Sequence, residues 1–264
     1  MADIMPTNEE LNRFSLNLLA DNMLVIRNSL SPVEQQEAAT AKALADRLDA
    51  LADSAGKSAT PENNRRAFDA AQDARRFVLH ILNRMLTEDF HVDLKPATIN
   101  LLATEAERYL DVLNMYMKGG RPEYDPIQEE ILWLPIFTVQ ARYIADNVGY
   151  FQKRNRERAS DLADVLNEYW SFSTELQGMK RAGQGYRVLA NGHHDAVASV
   201  LREFYEFLTS IISLLQLKQM PGSLSLLYLD RARRMVCFYL MQWSKSINET
   251  PLDCNPYSKR ASEF

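Results

Sequence analysis

Four histidines and a few acids are the residues of this 264-residue chain whose types and spacing could do chemistry. His193-His194-Asp195 sets three metal-ligating types side by side. On a helix, adjacent side chains point about 100° apart, so the two imidazoles diverge from a single ion. Asn191-Gly192 just upstream favours a polar helix start over a metal cluster at His193 and His194. Glu88-Asp89-Phe90-His91 has the Glu-x-x-His spacing of a di-metal bundle. It occurs once, before a loop, where a histidine also suits a helix C-terminus. His80 lies between Leu79 and Ile81 and reads as the edge of a core. Asp46, Asp164 and Glu105 are the acids to test as ligands, against the plain alternative of a solvated helix face.

Other chemistries lack their residues. The sequence holds no Gly-rich phosphate loop, no Ser-His-Asp order and no Cys-x-x-Cys pair. Two basic clusters, Lys153 to Arg158 and Arg231, Arg233 and Arg234, have no interleaved aromatic stripe and read as solvated faces. The net charge of −5 argues against nucleic acid as a partner. Cys237 and Cys254 make no framework: one lies in an apolar helical run and the other in a polar tail, so reduced thiols and a cytoplasmic setting are expected. The first residues have neither the cationic start nor the apolar stretch of a leader, and no run suggests a membrane span.

The elements that must position these residues are helices. Glycine is scarce, and Ala, Leu, Glu and Arg prevail over Val, Ile and Thr. Thr7, Ser31 and Asp125 each precede a Glu or Gln by three residues, and Pro follows Ser31, Thr60, Lys95 and Asp125. Apolar residues recur at three and four, as in Phe77, Ile81, Met85 and in Leu102, Ala106, Tyr109, Leu113. These signals predict helices over 8–29, 32–54, 61–87, 96–117, 126–148, 152–180, 193–218 and 224–247. Pro135 should kink the fifth or start a new one. Gly119-Gly120-Arg121-Pro122 breaks the chain in its middle.

The two sides of that break match. Leu44-Ala45-Asp46-Arg47-Leu48 returns as Leu162-Ala163-Asp164-Val165-Leu166, an offset of 118 (44 to 162). Ile26 falls on Ile144 and Asn28 on Asp146 at the same offset; Tyr109-Leu110 falls on Tyr239-Leu240 at 130 (109 to 239). A repeat of this length describes one unit copied and fused. It predicts an all-α protein of two tandem four-helix bundles, at 1–120 and 121–247, followed by a polar tail at 248–264.

The run Arg13-Phe14-Ser15-Leu16-Asn17-Leu18-Leu19-Ala20-Asp21-Asn22, followed by Leu30-Ser31-Pro32-Val33-Glu34, resembles the opening of a ferritin-like family of unknown function from spore-forming bacteria. Members of that family carry two tandem four-helix repeats, a first helix reading Glu-His-x-Phe-Trp-Leu and then Asp-His, and a His- and Glu-rich fourth helix. The resemblance implies a ferritin-like fold and a site that would hold iron or manganese. The departures fall on the ligands. Leu11-Asn12 stands where the Glu-His pair belongs and Asn22 where the second His does. In the second half Trp133-Leu134 is kept, but Gln140, Arg231, Met235, Val236 and Cys237 replace ligands; Glu105 and Glu107 survive in the first.

Asn and Gln keep the polarity of His without its imidazole donor, so the replaced positions imply a lost metal site and no cofactor. The expected function is a non-catalytic bundle acting as a scaffold or interaction protein with an unidentified protein partner, and a homo-oligomer is open to it. The alternatives are an iron or manganese protein with one retained site built from Glu105, Asp46 or Asp164 and a histidine, and a binder of an apolar ligand in the space the metals left.

Overall fold

The computed structural model describes residues 4–220 and 222–260; residues 1–3, 221 and 261–264, which include part of the N-terminal stretch and tail read above, lie outside it. Among the described residues the chain is all helical, with eight α-helices: α1 Asn8–Ser29, α2 Gln35–Ala55, α3 Pro61–Thr87, α4 Pro96–Met117, α5 Pro126–Asn147, α6 Lys153–Met179, α7 Tyr186–Gln216 and α8 Leu226–Ile247. A 3-10 turn, Lys180–Ala182, follows α6. The chain divides into two compact units, Met5–Glu123 with α1 to α4, and a second that runs on from Tyr124 with α5 to α8.

The helix starts follow their sequence signals except at Ser31. Thr7 and Glu10 form a reciprocal capping box on α1, and the Thr60 and Asp125 side chains accept from the Asn63 and Ile127 amides. The stretch 31–34 is instead a turn. Ser31 N–H donates to the His91 carbonyl at 3.0 Å beside a bridge between Leu30 and Val92, so α2 begins at Gln35 without a side-chain cap. Helix α7 starts at Tyr186, well before the expected 193, and carries Gly192 in its interior. The cost of that glycine, about 1 kcal/mol, is offset by packing: Tyr186 and Ala190 join Ile127 and Leu176 in one apolar cluster. Pro135 is accommodated within α5, which neither ends nor restarts there.

In each unit the connections are short. Residues 56–60 join α2 to α3 and reach at most about 18 Å, while a helix of the length of α3 spans about 40 Å. Each helix therefore starts at the end where its predecessor stops. Helix α1 packs on α2 and α4, α2 on α3, and α3 on α4, which closes an up-down-up-down ring; α5 to α8 close in the same way. Ferritin-like bundles have one long crossover, and neither unit has one. In the first unit buried alanines at helical spacing, Ala41, Ala45, Ala52 and Ala55 on α2 and Ala67, Ala70, Ala71 and Ala74 on α3, share one core with Leu16, Met23, Ile26, Leu48 and Ile99. Gly56 allows a close approach: a Cβ there would meet the Ala52 carbonyl at 2.4 Å and the Arg13 Cβ at 2.7 Å.

Corresponding contacts recur in the second unit. Val148 bridges Gly222, and Ser223 N–H donates to the Asn147 carbonyl, as Asp93 N–H does to Ser29 in the first. The tail is not loose. Cys237 of α8 and Cys254 form a disulfide, and the Tyr257 ring stands edge-on to Phe238 at 6.5 Å. The expectation of reduced thiols is therefore corrected. A buried cysteine in an apolar run gives no sign of its partner until the tail folds back along α8.

Candidate buried polar site

Glu130 stands in the first turns of α5 and is 0% exposed. Ser173 of α6 and His193 and His194 of α7, all buried, surround its carboxylate. The Ser173 hydroxyl donates to Oε2 at 2.8 Å and lies 2.7 Å from His193 Nε2, which is itself 3.4 Å from Oε2. His194 Nδ1 stands 2.5 Å from the other oxygen, Oε1. Tyr169 and Phe172 wall His193 edge-on, and Trp243 of α8 lies 5.7 Å from the His194 ring. The neighbouring Glu129 accepts from the Trp133 indole at 3.0 Å.

Burial opposes ionisation of Glu130, but hydrogen bonds from His193 and His194, together with their charge, outweigh it and hold the carboxyl below its ordinary range. Burial pushes the Tyr239 phenol of α8 well above its ordinary value, and the negative charge of Glu130 adds to this. The cluster is a carboxylate held in a donor cage, and it lies out of reach of solvent.

Two adjacent histidines thus reach one group, contrary to the polar helix start expected of them. The 100° divergence rules out a shared point, yet a carboxylate presents two oxygens and each imidazole takes its own. Sequence reasoning missed Glu130 as their partner, although it stands just ahead of the kept Trp133-Leu134 and at an offset of 118 from Asn12 (12 to 130).

The first unit holds a neutral counterpart at the corresponding positions. Asn12 donates to Asn64 Oδ1 at 2.8 Å and accepts from the Tyr109 hydroxyl at 2.7 Å. Farther along α1, Asn22 donates to Glu105 Oε2 at 2.8 Å. Glu105 is buried rather than on a solvated face. In the second unit Gln140 and Met235 fall at those places, and Gln140 Nε2 lies 3.2 Å from the thioether sulfur.

The remaining candidates are dispersed. Asp46 is exposed and paired with Lys42 at 2.6 Å, and Asp164 is exposed and paired with Arg142. Neither reaches a histidine. His80 is exposed and faces Glu37 at 3.8 Å instead of lining a core, and His91 is exposed past the end of α3. Of the arginine cluster read as solvated, Arg231 and Arg234 are buried, and Arg234 donates to Asp230 at 3.1 Å.

A di-metal site of the kind the resemblance implies does not fit these residues. Amides and one carboxylate occupy the first unit's cluster. In the second, the donor atoms are aimed at one another within hydrogen-bond range. Among the described residues no group of three or more His, Cys, Asp or Glu side chains is placed to hold an ion. Two open grooves, of about 520 Å³ along Arg75, Glu107 and Asn114 and about 370 Å³ along Arg154, Glu157 and Glu203, carry charged linings. No helix among the described residues is long and apolar enough to cross a membrane.

No family model and no curated protein matches the chain. Among solved structures it is similar to an uncharacterised protein from Bacillus cereus G9241, with a TM-score of 0.91 and 21% identity over 100% of both chains. At that identity the likeness establishes a shared all-helical fold.

Proposed function

We propose that this chain is a non-catalytic helical scaffold for a protein partner, made of two copies of one four-helix unit whose ligand positions have become hydrogen-bonded polar clusters. One observation carries the reading: Asn22 donates to Glu105 in the core of the first unit, where the resembling family would place a histidine and a metal-bound carboxylate. The amide gives the buried Glu105 side chain a hydrogen-bond donor at the place where the family would have an ion. The recurrence of the Leu30–Val92 bridge as Val148–Gly222 supports the duplication.

A second reading keeps one iron or manganese ion in the second unit, for which Glu130, His193 and His194, now bonded to one another, would have to turn toward the ion in place of Glu105, Asp46 and Asp164. The convergence of two imidazoles on one carboxylate favours it. The apolar-ligand reading draws no comparable support.

Metal analysis of untagged protein exposed to iron and manganese separates these readings. The scaffold reading expects well under one ion per chain and no rise in melting temperature with added metal. About one ion per chain, lost in His194→Ala, would establish the second reading instead.

A further inference from the structure

The turn between α5 and α6 exposes two adjacent aromatic rings that the core does not use. Tyr150 is 78% and Phe151 91% exposed, with the rings edge-on at 5.9 Å. The Arg156 guanidinium lies 5.6 Å from the Tyr150 centroid. Between Tyr150 and Arg158 the chain carries four cations and one acid, Glu157, in a protein of net charge −5. Lys153 pairs with Glu157 at 3.5 Å and Arg158 with Glu203 at 3.4 Å; Arg154 and Arg156 lie outside these two pairs, and Asp161 lines the same groove as Arg154. The Val148–Gly222 bridge holds the following connection alongside, and that segment adds Leu217, 65% exposed, and exposed Lys218.

The corresponding turn of the first unit is built otherwise. Val33 takes the place of Phe151, and Glu34 and Glu37 follow it and hold Arg84. Cations in the first turn of α6 also oppose its dipole, so helix stability does not account for them.

We propose that this turn is a docking surface for an anionic lipid bilayer, with Tyr150 and Phe151 entering the headgroup region and Arg154, Arg156 and Lys218 lying against lipid phosphates. Aromatic rings favour the membrane interface, and basic residues beside them respond to anionic lipid, each worth about fivefold in affinity. Charge complementarity selects the occupant: a neutral bilayer would leave the cations without partners, whereas an anionic one pairs them and takes the adjacent rings into its interface.

The test is sedimentation of the full chain with vesicles of phosphatidylcholine alone and of phosphatidylcholine mixed with phosphatidylglycerol. Binding to the mixed vesicles that weakens with salt, falls at least tenfold in Tyr150→Ser/Phe151→Ser and in Arg154→Glu/Arg156→Glu, and survives in Val33→Ser is expected. Tyr150, Phe151, Arg154 and Val33 are exposed and Arg156 is half-buried, and circular dichroism verifies that the variants remain folded. Absence of binding to the mixed vesicles overturns the proposal. So does equal binding to both vesicle types, or undiminished binding by the aromatic variant. Retention on soluble poly-glutamate without vesicle binding assigns the patch to an acidic protein and overturns it as well.

Discussion

His194 Nδ1 and Glu130 Oε1 stand 2.5 Å apart in the interior of the second unit, and the carboxylate's other oxygen is shared by Ser173 and His193. One anion from α5 therefore ties α6 and α7 together.

Removing that anion strands the groups around it. Glu130→Ala should lower stability by about 3–5 kcal/mol, the usual cost of breaking a buried ionic contact. Asp46→Ala and Asp164→Ala, which remove exposed pairs, should each stay within about 1 kcal/mol of the parent. Urea unfolding of the three variants provides the comparison, and equal effects would mean that the cluster is not a structural tie.

The pH dependence follows from the sign of the Glu130 shift. Its carboxyl titrates lower in the folded chain than its ordinary value of 4.5. It thus contributes stability that is complete above the unfolded value and is lost as pH falls through the folded one. Melting temperatures taken from neutral pH down through the carboxylate range should fall less steeply in Glu130→Gln than in the parent. Parallel curves would contradict the shift.

The Cys237–Cys254 disulfide closes a short loop between α8 and the tail, at a sequence separation of 17. A loop of this size stabilises by about 3 kcal/mol. Denatured, unreduced protein should present no free thiol, and reductant should lower the melting temperature of the parent but not of Cys254→Ser. Two titratable thiols in the untreated protein would count against the pairing.

Gly56→Ala tests the approach of α2 to α1. The φ of −72° suits alanine, so backbone preference alone would make the change harmless or favourable. The added Cβ meets the Ala52 carbonyl and Arg13 Cβ inside normal contact distance, and both belong to packed helices. Overpacking should prevail and cost about 1–3 kcal/mol, measurable as a lowered urea midpoint.

Asn22→Leu asks whether Glu105 needs its amide donor. Loss of one hydrogen bond to a buried carboxylate should cost about 1–3 kcal/mol. Gln140→Leu, which removes only a contact to the Met235 thioether, should cost less. Thermal denaturation of both variants ranks them, and the reverse order would mean that the two units do not handle these positions as their contacts indicate.

Residues 8–29, 61–87 and 96–117 were legible as helices from the sequence alone, and they coincide with α1, α3 and α4. Caps, prolines and apolar periods are local signals, and they act within one turn of the residues that carry them. The offsets of 118 and 130 were equally legible because matched positions need no knowledge of contacts. What the tertiary structure alone decided lies between distant segments. Glu130 meets His194 across a separation of 64, and Cys237 meets Cys254 only because the tail returns along its helix. The early start of α7 has the same origin: Gly192 and Asn191 weaken a helix locally, and packing of Tyr186 and Ala190 against Ile127 and Leu176 restores it. Propensity operates over a few residues, whereas burial and charge pairing depend on which segments the bundle brings face to face.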